Sequence, residues 1–134
     1  MSVIFSRACE YALTGLIEMA RHPENELWRI QELAEMTNTP APFLAKTFQL
    51  LVKGGILNSS KGRRGGFSFA HSPGKLSLLD IVEIVDGDTI AKECVLGFPE
   101  CGDKNPCPFH EQWGPIRKRI IDTLGRKTLA DLAR

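Results

Sequence analysis

A mainly α-helical fold, with two turn-joined helices followed by a two-stranded hairpin and a long C-terminal helix, is predicted by three observations. Apolar residues recur at helical spacing in successive segments. Gly54-Gly55 and Asp86-Gly87 end two of these segments cleanly. Between them, the glycine-bracketed run Lys61-Gly62-Arg63-Arg64-Gly65-Gly66 separates two short stretches, Ile56 to Ser60 and Phe67 to Ala70, that read as strands joined at a tip.

In the first helix Ala8, Tyr11, Ala12, Gly15, Leu16 and Met19 form the apolar stripe, Ser6 is the cap and His22-Pro23 the stop. Ile30, Leu33 and Ala34 mark a short second helix ending near Thr37-Asn38. Thr39-Pro40 opens a third, with Phe43, Leu44, Thr47, Phe48, Leu51 and Val52 facing inward. Two helices joined by so short a turn fit a helix-turn-helix. Ser77 caps a further helix whose Leu78, Ile81, Val82 and Val85 face the core. A loop follows, and then Trp113, Ile116, Ile120 and Leu124 mark the last long helix, with Arg117, Lys118 and Asp122 assigned to its far side and Thr128 capping a short tail helix. Gly114-Pro115 is expected to interrupt the start of that long helix. Its stripe has no evident cover within the chain, which predicts a two-fold homodimer, the alternative being a helix that folds back onto its own domain.

The chain has 134 residues, 43% of them hydrophobic and 25% charged. That is enough for one compact core and not for two independent ones. No apolar run approaches the roughly 18 residues of a membrane span, and Arg7 and Glu10 stand where a signal peptide would be apolar, so a cytoplasmic protein with no membrane partner is expected. The net charge of +1 conceals a segregation. From Met36 to Leu79 there is no Asp or Glu, while Lys46, Lys53, Lys61, Arg63, Arg64 and Lys75 are all positive. Such a band is an electrostatic footprint for a polyanion. If that polyanion is double-stranded DNA, the third helix enters the major groove, and Thr39, Pro42, Ala45, Lys46 and Gln49 are its outward residues. Lys61, Arg63 and Arg64 at the hairpin tip would clamp the backbone or enter a minor groove. An enzyme is not expected: Lys61 to Gly66 lacks the Gly-Lys-Ser/Thr ending of a phosphate-cradling loop, and there is no nucleophile elbow or convincing carboxylate pair.

Three cysteines and a histidine, Cys94, Cys101, Cys107 and His110, lie within seventeen residues of a Gly- and Pro-punctuated loop. In a reducing compartment they form a soft-ligand set for an iron-sulfur cluster or zinc. Gaps of six and five residues between the cysteines are wider than the spacing zinc prefers and suit the larger cluster. Cys9, on the apolar side of the first helix, reads as a small core residue.

These residues resemble the IscR/NsrR-type transcription regulators. The likeness is carried by Cys9-Glu10-Tyr11-Ala12-Leu13, Gly62-Arg63-Arg64-Gly65-Gly66-Phe67, Asp80-Ile81-Val82 with Val85, the three cysteines, and Thr128-Leu129-Ala130-Asp131-Leu132. It implies a winged helix-turn-helix with a two-stranded wing, a long C-terminal dimerisation helix, a cluster between that helix and the partner's first helix, and DNA affinity set by the state of the cluster. It also implies two choices of fourth ligand. His110, two residues past Cys107-Pro108, matches the 2Fe-2S biogenesis regulators. Glu10 of the partner subunit matches the 4Fe-4S nitric-oxide sensors, and the 2Fe-2S choice is preferred here. A redox-sensing branch carries a histidine where this chain has Thr14, and the first cysteine gap is one residue longer than in the biogenesis regulators.

The expected organisation is a winged helix-turn-helix over residues 1–88, a cysteine-rich cluster loop over 89–111, and a dimerisation helix with its tail over 112–134. The expected function is a transcription regulator, a repressor, that reports iron-sulfur status, redox state or nitric oxide. The alternatives are a zinc-binding or cluster-free thiol-sensing regulator of the same fold, or a small iron-sulfur carrier.

Overall fold

The computed structural model describes residues 4–92, 94–98 and 107–134. Along the chain come α1 (Arg7–Arg21), α2 (Ile30–Thr37), α3 (Ala41–Lys53), β1 (Leu57–Ser60), β2 (Gly66–Phe69), a 3-10 turn at Pro73–Lys75, α4 (Leu78–Asp86), α5 (Thr89–Lys92), α6 (His110–Arg126) and α7 (Leu129–Leu132). The chain is mainly helical with one antiparallel two-stranded sheet, paired from Leu57↔Phe69 to Ser60↔Gly66.

One core is shared by α1 to α4, the wing and α7, with Leu16, Leu33, Leu44, Phe48, Ile81 and Leu129 sealed from solvent. Each such side chain contributes about 1.5–3 kcal/mol by leaving water. Close approach of α1 and α3 depends on Gly15, where a Cβ would stand 2.9 Å from Phe48 Cζ. Phe48 in turn meets Phe67 edge to face, ring centroids 5.4 Å apart. That aromatic pair ties α3 to the wing.

The hairpin has a third member that the sequence pattern did not announce. Trp28 N–H donates to the Phe67 carbonyl at 2.8 Å and Phe67 N–H to the Trp28 carbonyl at 2.7 Å. This bridge occupies the space beside Gly66, where a Cβ would lie 2.4 Å from the Trp28 oxygen. The glycines of the wing are therefore needed for space as much as for turning.

Several expectations are corrected. Phe43, assigned to the core stripe of α3, is 60% exposed, because Leu44, Thr47, Phe48 and Leu51 already fill the face that meets α1. Arg117, assigned to the outer side of α6, is buried to 7% exposure while Ile116 is 49% exposed. Residues 113, 117, 120 and 124 share one stripe at helical spacing, and the aliphatic stem of an arginine packs along apolar surface. Gly114-Pro115 does not interrupt α6, which runs unbroken from His110. Proline gives up one backbone bond, and Gly114 lacks the Cβ against which its ring would clash.

The last helix also finds cover at home: α6 packs on α4 and α5, with Leu79 Cδ2 3.6 Å from a Cβ built on Gly125. A short helix, α5, stands where an uninterrupted loop was expected. The tail returns to the start of the fold. Leu78 N–H donates to Lys127 O at 2.9 Å, Leu129 N–H to Leu76 O at 3.0 Å, and α7 rests on α1.

Candidate nucleic-acid interface and metal centre

The turn between α2 and α3 is held by backbone geometry that few residues accept. Asn38 adopts φ 53°. This is a left-handed conformation that asparagine tolerates better than most side chains. Its N–H donates to Glu35 O at 3.3 Å and Thr39 N–H to Ala34 O at 2.9 Å, closing α2. Pro40 then caps α3 and Pro42 sits in its first turn, where a missing N–H costs nothing. Along α3, Pro42, Lys46 and Gln49 are exposed and Thr39 and Ala45 half-buried. The outward Phe43 joins Tyr11 and Leu50 in a shallow groove of about 330 Å³ between α1 and α3, bordered by Arg7 and Lys46.

At the wing tip Lys61, Arg63 and Arg64 are all exposed. Gly62 turns with φ 98°, and Gly65 N–H donates to Gly62 O at 3.0 Å. Gly65 has no room for a side chain, since a Cβ would meet Ser60 O at 2.2 Å. Sequence reasoning missed Arg29, whose Nη2 donates to the Arg63 carbonyl. Arg29 lies outside the acid-free band, and its only sequence signal is a cation at the N-cap of α2, the positive end of a helix.

The two ends of the cysteine loop meet. Cys94, just past α5, and Cys107, just before α6, form a small cluster of their own, each 8% exposed. Leu96 N–H donates to Cys94 Sγ at 3.4 Å and Gly97 N–H to Cys94 O at 2.9 Å, with Gly97 at φ 89°. His110 opens α6, its N–H on Cys107 O at 3.0 Å and its ring lying over Gly114. One turn on, the Trp113 indole N–H is buried without an acceptor among the described residues. Two buried thiols and a backbone N–H aimed at sulfur fit a sulfur-rich centre. Cys101 lies outside the described residues, among which no three Cys, His, Asp or Glu side chains converge as a metal-binding group.

Glu10 is half-buried on α1. Next to it, Cys9 is fully enclosed, and burial together with the Asp86 carboxylate pushes its thiol up to about 12. It therefore stays protonated. Asp86, the last residue of α4, also accepts from the backbone N–H of Ser6 at 3.0 Å and from its hydroxyl. Ser6 Oγ accepts in turn from Cys9 N–H at 3.1 Å. One carboxylate thus joins the end of α4, where the cysteine segment departs, to the start of α1.

A family profile described as Rrf2, iron-dependent transcriptional regulator, matches residues 5–134. A helix-turn-helix-type transcriptional regulator of Aquifex aeolicus is 38% identical over 133 residues, 97% of this chain and 91% of that one. The regulator IscR of Xenorhabdus nematophila is 25% identical over 124 residues, 92% of this chain and 75% of that one. Among solved structures, CymR, the global cysteine regulator of B. subtilis, matches with a TM-score of 0.79 at 24% identity, covering 96% of this chain and 95% of that one. T. potens IscR matches with a TM-score of 0.73 at 24% identity, covering 95% of this chain and 83% of that one. These two likenesses bear on the fold, a winged helix.

Proposed function

Because the chain belongs to the Rrf2 family of transcriptional regulators, we propose that it is a cytoplasmic homodimeric repressor that grips a palindromic DNA site and adjusts the grip through an iron-sulfur cluster. The observation that carries the DNA reading is the run from Met36 to Leu79, without one acid, that presents Lys46 and Gln49 on α3 and Lys61, Arg63 and Arg64 on the wing to solvent. Lys46 donates to guanine or phosphate, Gln49 pairs with adenine, and Thr39, Pro42 and Ala45 line the approach. The wing arginines neutralise phosphates.

Cys94, Cys101 and Cys107 would hold the cluster, with His110 as fourth ligand and Glu10 of the partner subunit as the alternative. Such a group supplies reversible one-electron chemistry and a labile iron that oxidants or nitric oxide can reach. The chain's own residues do the rest: α5 and α6 bring two of the thiols together, and His110 presents the less tightly held ligand. The 2Fe-2S form is preferred because His110 stands in the same segment as the cysteines.

The juxtaposition of Cys94 and Cys107 favours a second reading, a cluster-free thiol sensor in which an oxidant takes two electrons and two protons as a disulfide forms. Anaerobic purification with iron, sulfide and zinc counts separates the readings. A coloured protein whose absorbance is lost on Cys94→Ser supports the cluster; a colourless protein holding one zinc per chain, or no metal at all, rejects it. In parallel, a DNA-shift titration tests the interface. Replacing Arg63 and Arg64 together by alanine is expected to lower the slope of log affinity against log salt by about 4 per homodimer, about 2 per subunit. An unchanged slope rejects the wing contact.

A further inference from the structure

We propose that Arg29 is a DNA-binding residue of the wing, a further cation held at the tip by the Arg63 carbonyl and directed to the phosphates that Arg63 and Arg64 meet. The inference rests on the wing being a DNA contact, and it adds a residue from a different element, the N-terminus of α2.

Three observations carry it. The first is electrostatic misplacement: Arg29 is the N-cap of α2 and its side chain makes no capping bond. The helix macrodipole is positive at that end, and Ser, Thr, Asp or Asn is preferred there. Local helix energetics give no reason for a guanidinium at this position. The second is the bond from Arg29 Nη2 to Arg63 O, which brings that charge to a hairpin tip already carrying Lys61, Arg63 and Arg64. Exposed like charges within a Debye length of about 8 Å repel one another. Among the described residues the ion pairs engage Glu18, Glu24 and Asp88, and none engages Arg29. An anion from outside the chain would supply the missing countercharge.

The third is that the geometry is set in advance. The Trp28–Phe67 bridge fixes the residue before Arg29 to β2, and Gly65 and Gly66 leave no room for a side chain where the tip rejoins that strand. A guanidinium has five N–H donors in a planar fork, and the bond to Arg63 O uses one edge only partly. The remaining donors match two phosphate oxygens. Arg29 would thus serve the tip twice, orienting its backbone and sharing its load of phosphate.

The test is a titration of wild type, Arg29→Gln and the Arg63→Ala/Arg64→Ala double variant against a random duplex over a range of salt. Glutamine keeps a donor for the Arg63 carbonyl and removes the charge. The expected result is a slope of log affinity against log salt smaller by about 2 per homodimer, about 1 per subunit, in Arg29→Gln, with its thermal transition intact. A wild-type slope in Arg29→Gln overturns the inference. If the double variant also keeps the wild-type slope, the wing reading itself has failed; if only Arg29→Gln does, the failure belongs to Arg29 alone. Should Arg29→Gln not fold, arginine-specific labelling of the wild type decides: duplex must shield Arg29 from phenylglyoxal, and equal labelling with and without duplex overturns the proposal.

Discussion

At the scale of single residues, the wing is set by steric exclusion. Gly66 has the Trp28 carbonyl 2.4 Å from where a Cβ would sit, and neither backbone can yield without breaking the Trp28–Phe67 bridge. Gly66→Ala is expected to cost about 1–3 kcal/mol, the range for overpacking a filled site, seen as a lower midpoint in thermal or urea unfolding. Gly74→Ala is the control, because the nearest atom to its Cβ is Ala130 Cβ at 3.9 Å, an ordinary contact. Lower unfolded-chain entropy favours the alanine at both positions, so an equal loss in both variants would mean that the space beside Gly66 does not set its cost. Arg117 and Phe43 show why residue type misleads at this scale. The chemistry of a side chain says what it prefers, whereas its place on the helix says what it gets, and Arg117 shares the stripe of Trp113, Ile120 and Leu124.

At the scale of elements, helices α1 to α4 were legible because their signals are local: stripe spacing, Ser6 and Ser77 as caps, and stops at His22 and Gly87. The Trp28 bridge and the cover of α6 by α4 join residues far apart in sequence, and no local pattern reports them. The site was legible in the same measure. The charge band and the cysteine spacing stand in the sequence, while Arg29 and Asp86 emerge only from tertiary contact. The tail is the sharpest case, since a helix as short as α7 would not form alone. It is held by Thr128, which accepts from Asp131 N–H at 3.2 Å, and by Leu129 in the core. Leu129→Ala is expected to cost about 2–5 kcal/mol in urea unfolding. Leu132 is partly exposed, and Leu132→Ala should cost about 0.5 kcal/mol or less. Hydrogen bonds from the Thr128 backbone and hydroxyl hold the Asp131 carboxyl below its usual range. A depressed folded value means that this contribution is present above the ordinary carboxylate range and lost as pH falls through the lowered one. Acid should therefore loosen α7, which hydrogen exchange at residues 128–132 measures at pH 6 and pH 3; protection unchanged at pH 3 would reject the role of Asp131.

At the scale of the whole molecule, the question is how a sulfur-rich loop could speak to a recognition helix. The structure offers one short path: Asp86 ends α4 at the departure of the cysteine segment, accepts two hydrogen bonds from Ser6, and so fixes the N-terminus of α1, which packs along α3 through Gly15 and Phe48. A carboxylate at the start of a helix is favoured by the macrodipole, so a shift at the end of α4 carries α1 with it. Coupling between two sites is a free energy, commonly of about 1–3 kcal/mol, or roughly 5- to 150-fold in affinity. On the proposed cluster reading, wild-type protein with and without a bound cluster should differ in DNA affinity within that range. Asp86→Asn keeps the shape and weakens the Ser6 contacts, so it should load the same iron and sulfide, show the same absorbance, and bring the ratio of the two affinities toward one. A ratio equal to that of the wild type would mean that the signal travels elsewhere, and the packing of α6 on α4 would be the next path to cut.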